Sequence, residues 1–410
     1  MYFMKKLNRW IYAIVGVIVL IFAGLIYAWS VLASPIAAST GWQPDSMSLT
    51  FTIAMSFFCL GGLAGGLLSG KINVRINVVA AAVLFLLGFF ITSRTTSIAM
   101  LYLGFGVFSG FASGLAYNAV MSTISKWFPD KQGLISGILL MGFGLGAFII
   151  GKIYTAYTPT GAESEAWRTS FLFLGVIIFI VLLIGSVFFV KPDPGYNPGG
   201  QAAVQKKSSR FKEEGIDVGP SVMLRRPAFW MYFIWAIALS AAGLALVSQA
   251  SNIITMQVAP ETDAGTVATV AGLISIFNGV GRILFGGMYD KFGRKITMLT
   301  ADFTFVVFIA VLLLAMTTKN FPVLVISYIL GGLAYSSVTP TNSAFINAFY
   351  GPTHYAVNFP MINLNLIIAS FSSTIAGSLY TATGSFMSTC FMIIGLTVVG
   401  FITTFAIRKP

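Results

Sequence analysis

The chain of 410 residues is short of charge: Asp, Glu, Lys and Arg make up 9% of it, against about 25% in ordinary soluble domains. With 57% hydrophobic residues it cannot cover its surface for water, which excludes a soluble enzyme. Histidine is represented by His354 alone, in a short loop where it is expected to be solvated. Cys59 and Cys390 lie far apart in separate apolar stretches, where they read as packing residues. That set builds no disulfide framework, metal cluster or catalytic triad. Neither a metal nor a cofactor is expected, and a membrane enzyme is the weakest reading. Acids are scarcer than bases, 12 against 24, for a net charge of +12. In a soluble protein that excess would suggest a polyanion such as nucleic acid, but in this chain the placement of the charges decides.

What is abundant is apolar sequence in long runs, with 42 glycines and 37 phenylalanines. A bilayer core needs about 20 apolar residues per helix. Runs that meet this lie near 11–31, 49–70, 77–93, 98–124, 133–154, 168–190, 229–250, 267–288, 296–317, 322–347, 357–382 and 387–407. The first is too long for a signal peptide and reads as a retained span. The expected fold is therefore all-α and integral to the membrane, with twelve transmembrane helices.

With the N-terminus in the cytoplasm, all basic residues but five fall on the inner side. Arg94, Lys152, Arg168 and Lys319 fall outside or at the outer interface. This asymmetry supports both the count and the orientation, with both termini cytoplasmic and the chain in an inner or plasma membrane. The fifth exception, Arg282, belongs to neither side.

The longest polar stretch, from Lys191 to about Pro227, divides the spans six and six and reads as a flexible cytoplasmic linker with short surface helices. The expected organisation is a six-helix half over 1–190, a linker over 191–228 and a second half over 229–410. The halves resemble each other. Gly114-Leu115-Ala116-Tyr117 recurs 218 residues later as Gly332-Leu333-Ala334-Tyr335, and the loop from Lys71 to Arg75 recurs 220 residues later as Lys291 to Lys295. Two duplicated halves point to a transporter with its site between them.

The segment Gly286-Gly287-Met288-Tyr289-Asp290-Lys291-Phe292-Gly293-Arg294-Lys295 resembles the loop signature of the major facilitator superfamily. Its first-half equivalent, Gly66 to Arg75, has Gly70 where an acid is usual. Several other stretches resemble the oxalate:formate antiporter family, which is similar to the monocarboxylate transporters. They are Tyr27-Ala28-Trp29-Ser30-Val31 followed by Pro35, Lys126-Trp127-Phe128-Pro129-Asp130-Lys131 leading into Gly142-Phe143-Gly144, Met223 to Trp230, and Phe277-Asn278-Gly279-Val280-Gly281-Arg282. The resemblance implies the major facilitator fold, two six-helix pseudo-repeats that move a small carboxylate by alternating access. Asp290 and Arg294, with Lys71, Arg75, Asp130 and Lys131, are the expected loop and gate residues at the cytoplasmic face.

Arg282 lies about fifteen residues into its span and about six from the inner end, roughly 9 Å inside the hydrocarbon. An arginine there costs on the order of 2.5–3.5 kcal/mol to insert. The residue one turn earlier, Asn278, is neutral, so an incoming carboxylate is a natural partner for the two parallel donors of the guanidinium. The resemblance adds that the family's second cation, on the eleventh span, is Leu366 in this chain; its tryptophan four residues before the tenth-span tyrosine is Gly331, and a first-span glutamine is Ile26. One cation suits one carboxylate, since a compact dianion would keep a poorly compensated charge.

Tyr117 and Tyr335, at duplicated positions, are candidate substrate contacts or helix-to-backbone bonds. Tyr27 is a weaker candidate beside Trp29, and its alternative is an interfacial aromatic. Asn118 can orient a carboxylate or join helices, and Asn278 shares a face with Arg282. Asn363 and Asn365 point about 200° apart on a helix, so at most one faces a cavity. Leu145 is a candidate apolar wall. Asp302 is the one acid well inside a span, a candidate for proton coupling that is also near enough to the inner boundary to meet Lys295 or water. The function expected is a secondary transporter of monocarboxylates of the lactate, pyruvate, formate or acetate class. The partners expected are that carboxylate, a proton as candidate co-substrate and the lipid bilayer, with the chain a monomer and no nucleic acid bound. Oxalate:formate exchange is the alternative within transport, and a solute sensor that does not translocate is the alternative outside it.

Overall fold

The structure is a computed structural model that describes residues 7–42, 44–69, 71–158, 165–193, 196 and 215–408. The long apolar runs are helices: Arg9–Ala28, Leu49–Leu68, Val74–Ser93, Ile98–Trp127, Gln132–Tyr157, Ala166–Ser186, Pro227–Val258, Gly265–Thr318, Phe321–Tyr350, Tyr355–Thr383 and Met387–Ala406. The 54 residues of Gly265–Thr318 are more than twice what one crossing needs. Gly293 divides that run with φ 75° and ψ −178°, a backbone conformation foreign to a helix that glycine holds without strain. Counting 264–292 and 294–318 as the eighth and ninth spans gives the expected twelve, numbered in chain order. The seventh runs past its expected end at 250 because a π-helical stretch, Ile254–Val258, continues it.

Several starts are set by local sequence. The side chains of Asn8, Asn73, Ser97, Asp263 and Asn320 each accept a hydrogen bond from an N–H two or three residues on, satisfying donors that the first turn leaves over. The hydroxyl and N–H of Thr266 hold the Asp263 carboxyl below the usual carboxylate range.

The chain forms two compact units. Unit 1 comprises Met1–Asp130, Ile138–Gln201 and Tyr355–Met361; unit 2 comprises Lys131–Gly137, Ala202–His354 and Ile362–Pro410. Of the expected linker, 194–195 and 197–214 lie outside the described residues, as do Lys5, Lys6, Gly70 and Lys409. Its described end is tied to the end of the tenth span: the N–H groups of Ile216 and Val218 donate to the carbonyls of Phe349 and Tyr350 at 2.8 and 3.2 Å, and the Thr353 hydroxyl donates to Asp217 at 2.5 Å.

The duplication is visible in the contacts inside each unit. Tyr12 in the first span stacks on Trp127 with ring centroids 4.5 Å apart. Tyr232, 220 residues on, stacks on Phe345 at 3.8 Å. The Arg75 guanidinium donates to the Val187 carbonyl at 2.8 Å, and the Arg294 guanidinium donates to the Ile407 carbonyl at 3.3 Å. Arg75 matches Lys295 rather than Arg294 at the 220-residue shift, yet each arginine places a cation at the C-terminal end of its half's last helix, where the macrodipole favours positive charge.

Candidate substrate-binding site

In unit 2, Arg282 sits in the interior of the eighth span and is only 7% exposed. Its backbone carbonyl lies so near Gly137 that a Cβ at that glycine would overlap it. Tyr335 is buried in the tenth span, whose next residue, Ser336, packs on Gly281 immediately before Arg282. The Tyr335 ring in turn lies flush on Gly243 of the seventh span, where any side chain would displace it. Asn278, one turn before Arg282, is half-buried, and its Oδ1 accepts no hydrogen bond among the described residues. Arg282, Tyr335 and Asn278 thus supply a cation, a phenol and an amide within one unit, a donor-rich set suited to an anion.

The two eleventh-span asparagines are both turned into unit 2. Asn363 accepts from Asn342 at 3.3 Å, and Asn342 accepts from the Tyr232 hydroxyl at 3.0 Å. Asn365 donates to the Ala236 carbonyl at 2.9 Å and to Ser240 at 3.0 Å, fastening the eleventh span to the seventh. Gly331 faces Leu246 and Phe308, so the position where the family carries a tryptophan is a helix contact in this chain.

Unit 1 holds an aromatic cluster around Tyr117. Its ring lies 5.2 Å from Phe58, 5.0 Å from Phe143 and 5.7 Å from Phe359. Tyr27, half-buried, meets the same Phe143 at 5.5 Å. Trp29 is buried, with its Nε1 donating to the Met47 carbonyl at 2.9 Å, so it is a packing residue and no interfacial anchor. Asn118 is buried and donates to the Ala356 carbonyl at 3.1 Å, while its Oδ1 accepts no hydrogen bond among the described residues. Leu145 is half-buried in the fifth span. Phe58 and Phe359 escape sequence reading because a phenylalanine in a membrane helix carries no signal of which neighbour it meets. Gly243 escapes too, although the small run Ala241-Ala242-Gly243 marks a close approach.

The loop residues divide in their roles. Asp290 accepts from the backbone N–H groups of Gly133 and Leu134, both at 2.8 Å, capping the start of the fifth span inside unit 2. Gly133 and Gly286 stand face to face beside it, with no room for a Cβ on either. Arg294 does not meet Asp290: it is 6% exposed, donates to the carbonyls of Thr404 and Ile407, and lies 5.6 Å over the Phe349 ring. In unit 1, Asp130 pairs with both guanidinium nitrogens of Arg9, at 2.5 and 3.1 Å. Lys71 and Lys131 are exposed.

Asp302 meets neither Lys295 nor the surface. It is wholly buried, with Trp235 Nε1 donating to Oδ1 at 2.9 Å and the Thr404 hydroxyl donating to Oδ2 at 2.7 Å. Seven residues of helix separate it from Lys295 by about 10 Å, and Lys295 is exposed, its ammonium 5.6 Å over Phe405.

The family model for the Major Facilitator Superfamily matches residues 14–260 and 244–410. An uncharacterised MFS-type transporter, YhjX, of Escherichia coli K12 is 26% identical over 367 residues, covering 88% of this chain and 86% of that protein. The oxalate:formate antiporter of Oxalobacter formigenes is 25% identical over 352 residues, covering 85% of this chain and 80% of its own. Among solved structures, the proton:xylose symporter XylE bound to 6-bromo-6-deoxy-D-glucose superposes with a TM-score of 0.71 over 97% of this chain and 95% of that one; at 12% identity the likeness is one of fold. The chain belongs to the major facilitator superfamily, a multi-pass membrane transporter built on that fold.

Proposed function

We propose that the chain moves small monocarboxylate anions of the lactate, pyruvate, formate or acetate class across an inner or plasma membrane by alternating access, with the carboxylate held on Arg282. The observation that carries this is an arginine only 7% exposed in the interior of a membrane-spanning helix, with the tenth span packed against the preceding residue, Gly281. A permanent cation there is costly to insert and is offset when an anion accepts its parallel donors. Tyr335 and Asn278 orient the carboxylate, while Tyr117, Tyr27 and Leu145 shape the apolar part of the path and Asn118 offers an acceptor. The substrate class follows from the count of cations: Leu366 is buried and apolar at the position of the family's second cation. The halves 1–190 and 229–410 act as the moving parts, joined by the linker 191–228, with Asp290 and its helix cap serving as a cytoplasmic latch.

The test is uptake into proteoliposomes across a panel of lactate, pyruvate, formate, acetate and oxalate. Arg282→Gln removes a buried charge-assisted contact worth about 2–5 kcal/mol, so uptake drops by more than about thirtyfold. Normal uptake by a folded Arg282→Gln protein would overturn the reading. A second reading, exchange of oxalate for formate, is favoured by the likeness to the oxalate:formate antiporter of Oxalobacter formigenes, and preference for oxalate in the same panel selects it. Absence of counterflow with every anion selects a sensor.

A further inference from the structure

Asp302 and its two partners take no part in the carboxylate site, yet they place an ionisable group at the centre of unit 2. The duplication shows what the fold itself requires there. Buried positions match between the third and ninth spans at a shift of 220 residues: Ala81, Ala82 and Phe85 against Ala301, Asp302 and Phe305. At the same shift Trp235 falls on Val15, which is half-buried, whereas Thr404 falls on Ile184, which is exposed, so the match does not extend to the last helix. The first half therefore has apolar residues, Ala82 and Val15, at two of the three positions. The second half places an acid and an indole there, bonded to each other and through the acid to Thr404, which packing alone does not demand.

The donor arithmetic says what the junction binds. Trp235 Nε1 can only donate, so Oδ1 must accept in every state. The Thr404 hydroxyl donates to Oδ2 when the carboxyl is ionised, and by rotating it can accept from Oδ2–H when the carboxyl is protonated, releasing its own proton toward the Gly400 carbonyl one turn back. Both states fit the same heavy-atom positions. A metal cation does not fit, because the indole N–H aims positive charge at Oδ1 and a hard cation needs several oxygen ligands. Gly400 keeps this helix contact close: a Cβ there would stand 2.9 Å from Oδ1.

The charged and titratable groups around the junction leave it without a resident counter-ion. On the seventh span, Tyr232 lies against Trp235 with ring centroids 5.3 Å apart, and Tyr289 of the eighth acts on Tyr232. On the twelfth span, Thr404 offers its carbonyl to Arg294, which also donates to the Ile407 carbonyl and the Met298 sulfur. Lys295 is turned out over Phe405. Among the described residues no cation pairs with Asp302. An ionised carboxylate held only by two neutral donors in an apolar interior gains by taking up a proton.

We propose that Asp302 is a proton-binding site, with the proton carried on Oδ2 between it and Thr404, and that its loading couples carboxylate movement to the proton gradient. The coupling rests on the transport reading above, whereas the protonation does not. Two variants of the reconstituted full chain test it. Asp302→Asn keeps both hydrogen bonds, its amide donating to Thr404, and mimics the loaded state. Asp302→Ala with Thr404→Val puts the first half's Ala82 residue type at the first position and an apolar residue of threonine's shape at the second, so that the test does not rest on one variant alone. Infrared difference spectra taken as pH is lowered should show the C=O band of a buried carboxylic acid in the parent and no such band in either variant. Labelled pyruvate should exchange by counterflow at equal pH in parent and variants alike, while stimulation of uptake by an inward proton gradient is present in the parent and lost in the variants. An unchanged infrared band in the variants, or gradient stimulation that survives in them, overturns the proposal. If the parent moves no pyruvate, the transport reading fails and the infrared arm still decides protonation.

Discussion

The two halves of the chain fold alike and are charged differently. What they share is structural: a tyrosine stacked on an aromatic ring at 4.5 Å in one half and 3.8 Å in the other, and an arginine on the last helix's carbonyls. What they do not share is ionisable. Arg282 and Asp302 both belong to the second half, and the duplicated tyrosines keep different company. Tyr117 sits among Phe58, Phe143 and Phe359, whereas the Tyr335 ring lies on Gly243 in the unit that carries Arg282. A duplicated fold keeps the contacts that hold helices together and frees one copy to pay for charge. Under the proposed function the first half then offers walls and the second half offers binding groups.

The largest effect that would sharpen this contrast is at Arg282. Arg282→Lys keeps the charge and loses the parallel pair of donors, and the substrate concentration for half-maximal uptake should rise about tenfold or more, for a loss of about 1.5–3 kcal/mol. Unchanged affinity in proteoliposomes of the Arg282→Lys variant would mean that charge alone suffices. Next comes Gly243, the seat of the Tyr335 ring. Gly243→Ala overpacks that contact and should lower stability by about 1–3 kcal/mol, read as a fall in melting temperature in detergent. The control is Gly395→Ala, at a twelfth-span position with nothing within 4 Å of an added Cβ, which should be neutral or stabilising by up to about 1 kcal/mol.

The shared arginines come third. Arg294 is buried on two carbonyls and a ring, so Arg294→Ala should cost about 2 kcal/mol. Arg75 is half-exposed on one carbonyl, and solvent screening reduces Arg75→Ala to about 0.5 kcal/mol. Equal losses in thermal melts would remove the asymmetry. The smallest effect is on the tyrosines: Tyr335→Phe should weaken substrate affinity about two- to fivefold, a single hydrogen bond's worth, while Tyr117→Phe should leave it within about twofold. The reverse order would assign the anion to the first half.

Much of this was legible in the sequence because lipid imposes long apolar runs and makes a misplaced charge conspicuous. The twelve spans, the six-and-six duplication and Arg282 all follow from that constraint. The surroundings of Asp302 did not follow. Its partners stand 67 and 102 residues away, and sequence proximity suggested Lys295 instead. The eleventh-span asparagines show the same limit: periodicity says that Asn363 and Asn365 point apart, but only packing reveals Asn342 behind one and Ser240 behind the other. Gly331 read as a missing tryptophan and proved to be a contact with Leu246 and Phe308.

Gly293 joins these threads. Its φ of 75° lets the eighth span pass directly into the ninth with one residue between them. Arg282 stands eleven residues before that joint and Asp302 nine after it. No slack loop separates the arm that carries the cation from the arm that carries the carboxyl. The covalent path from the cation to the carboxyl is therefore twenty residues long and leaves helical geometry at one residue only.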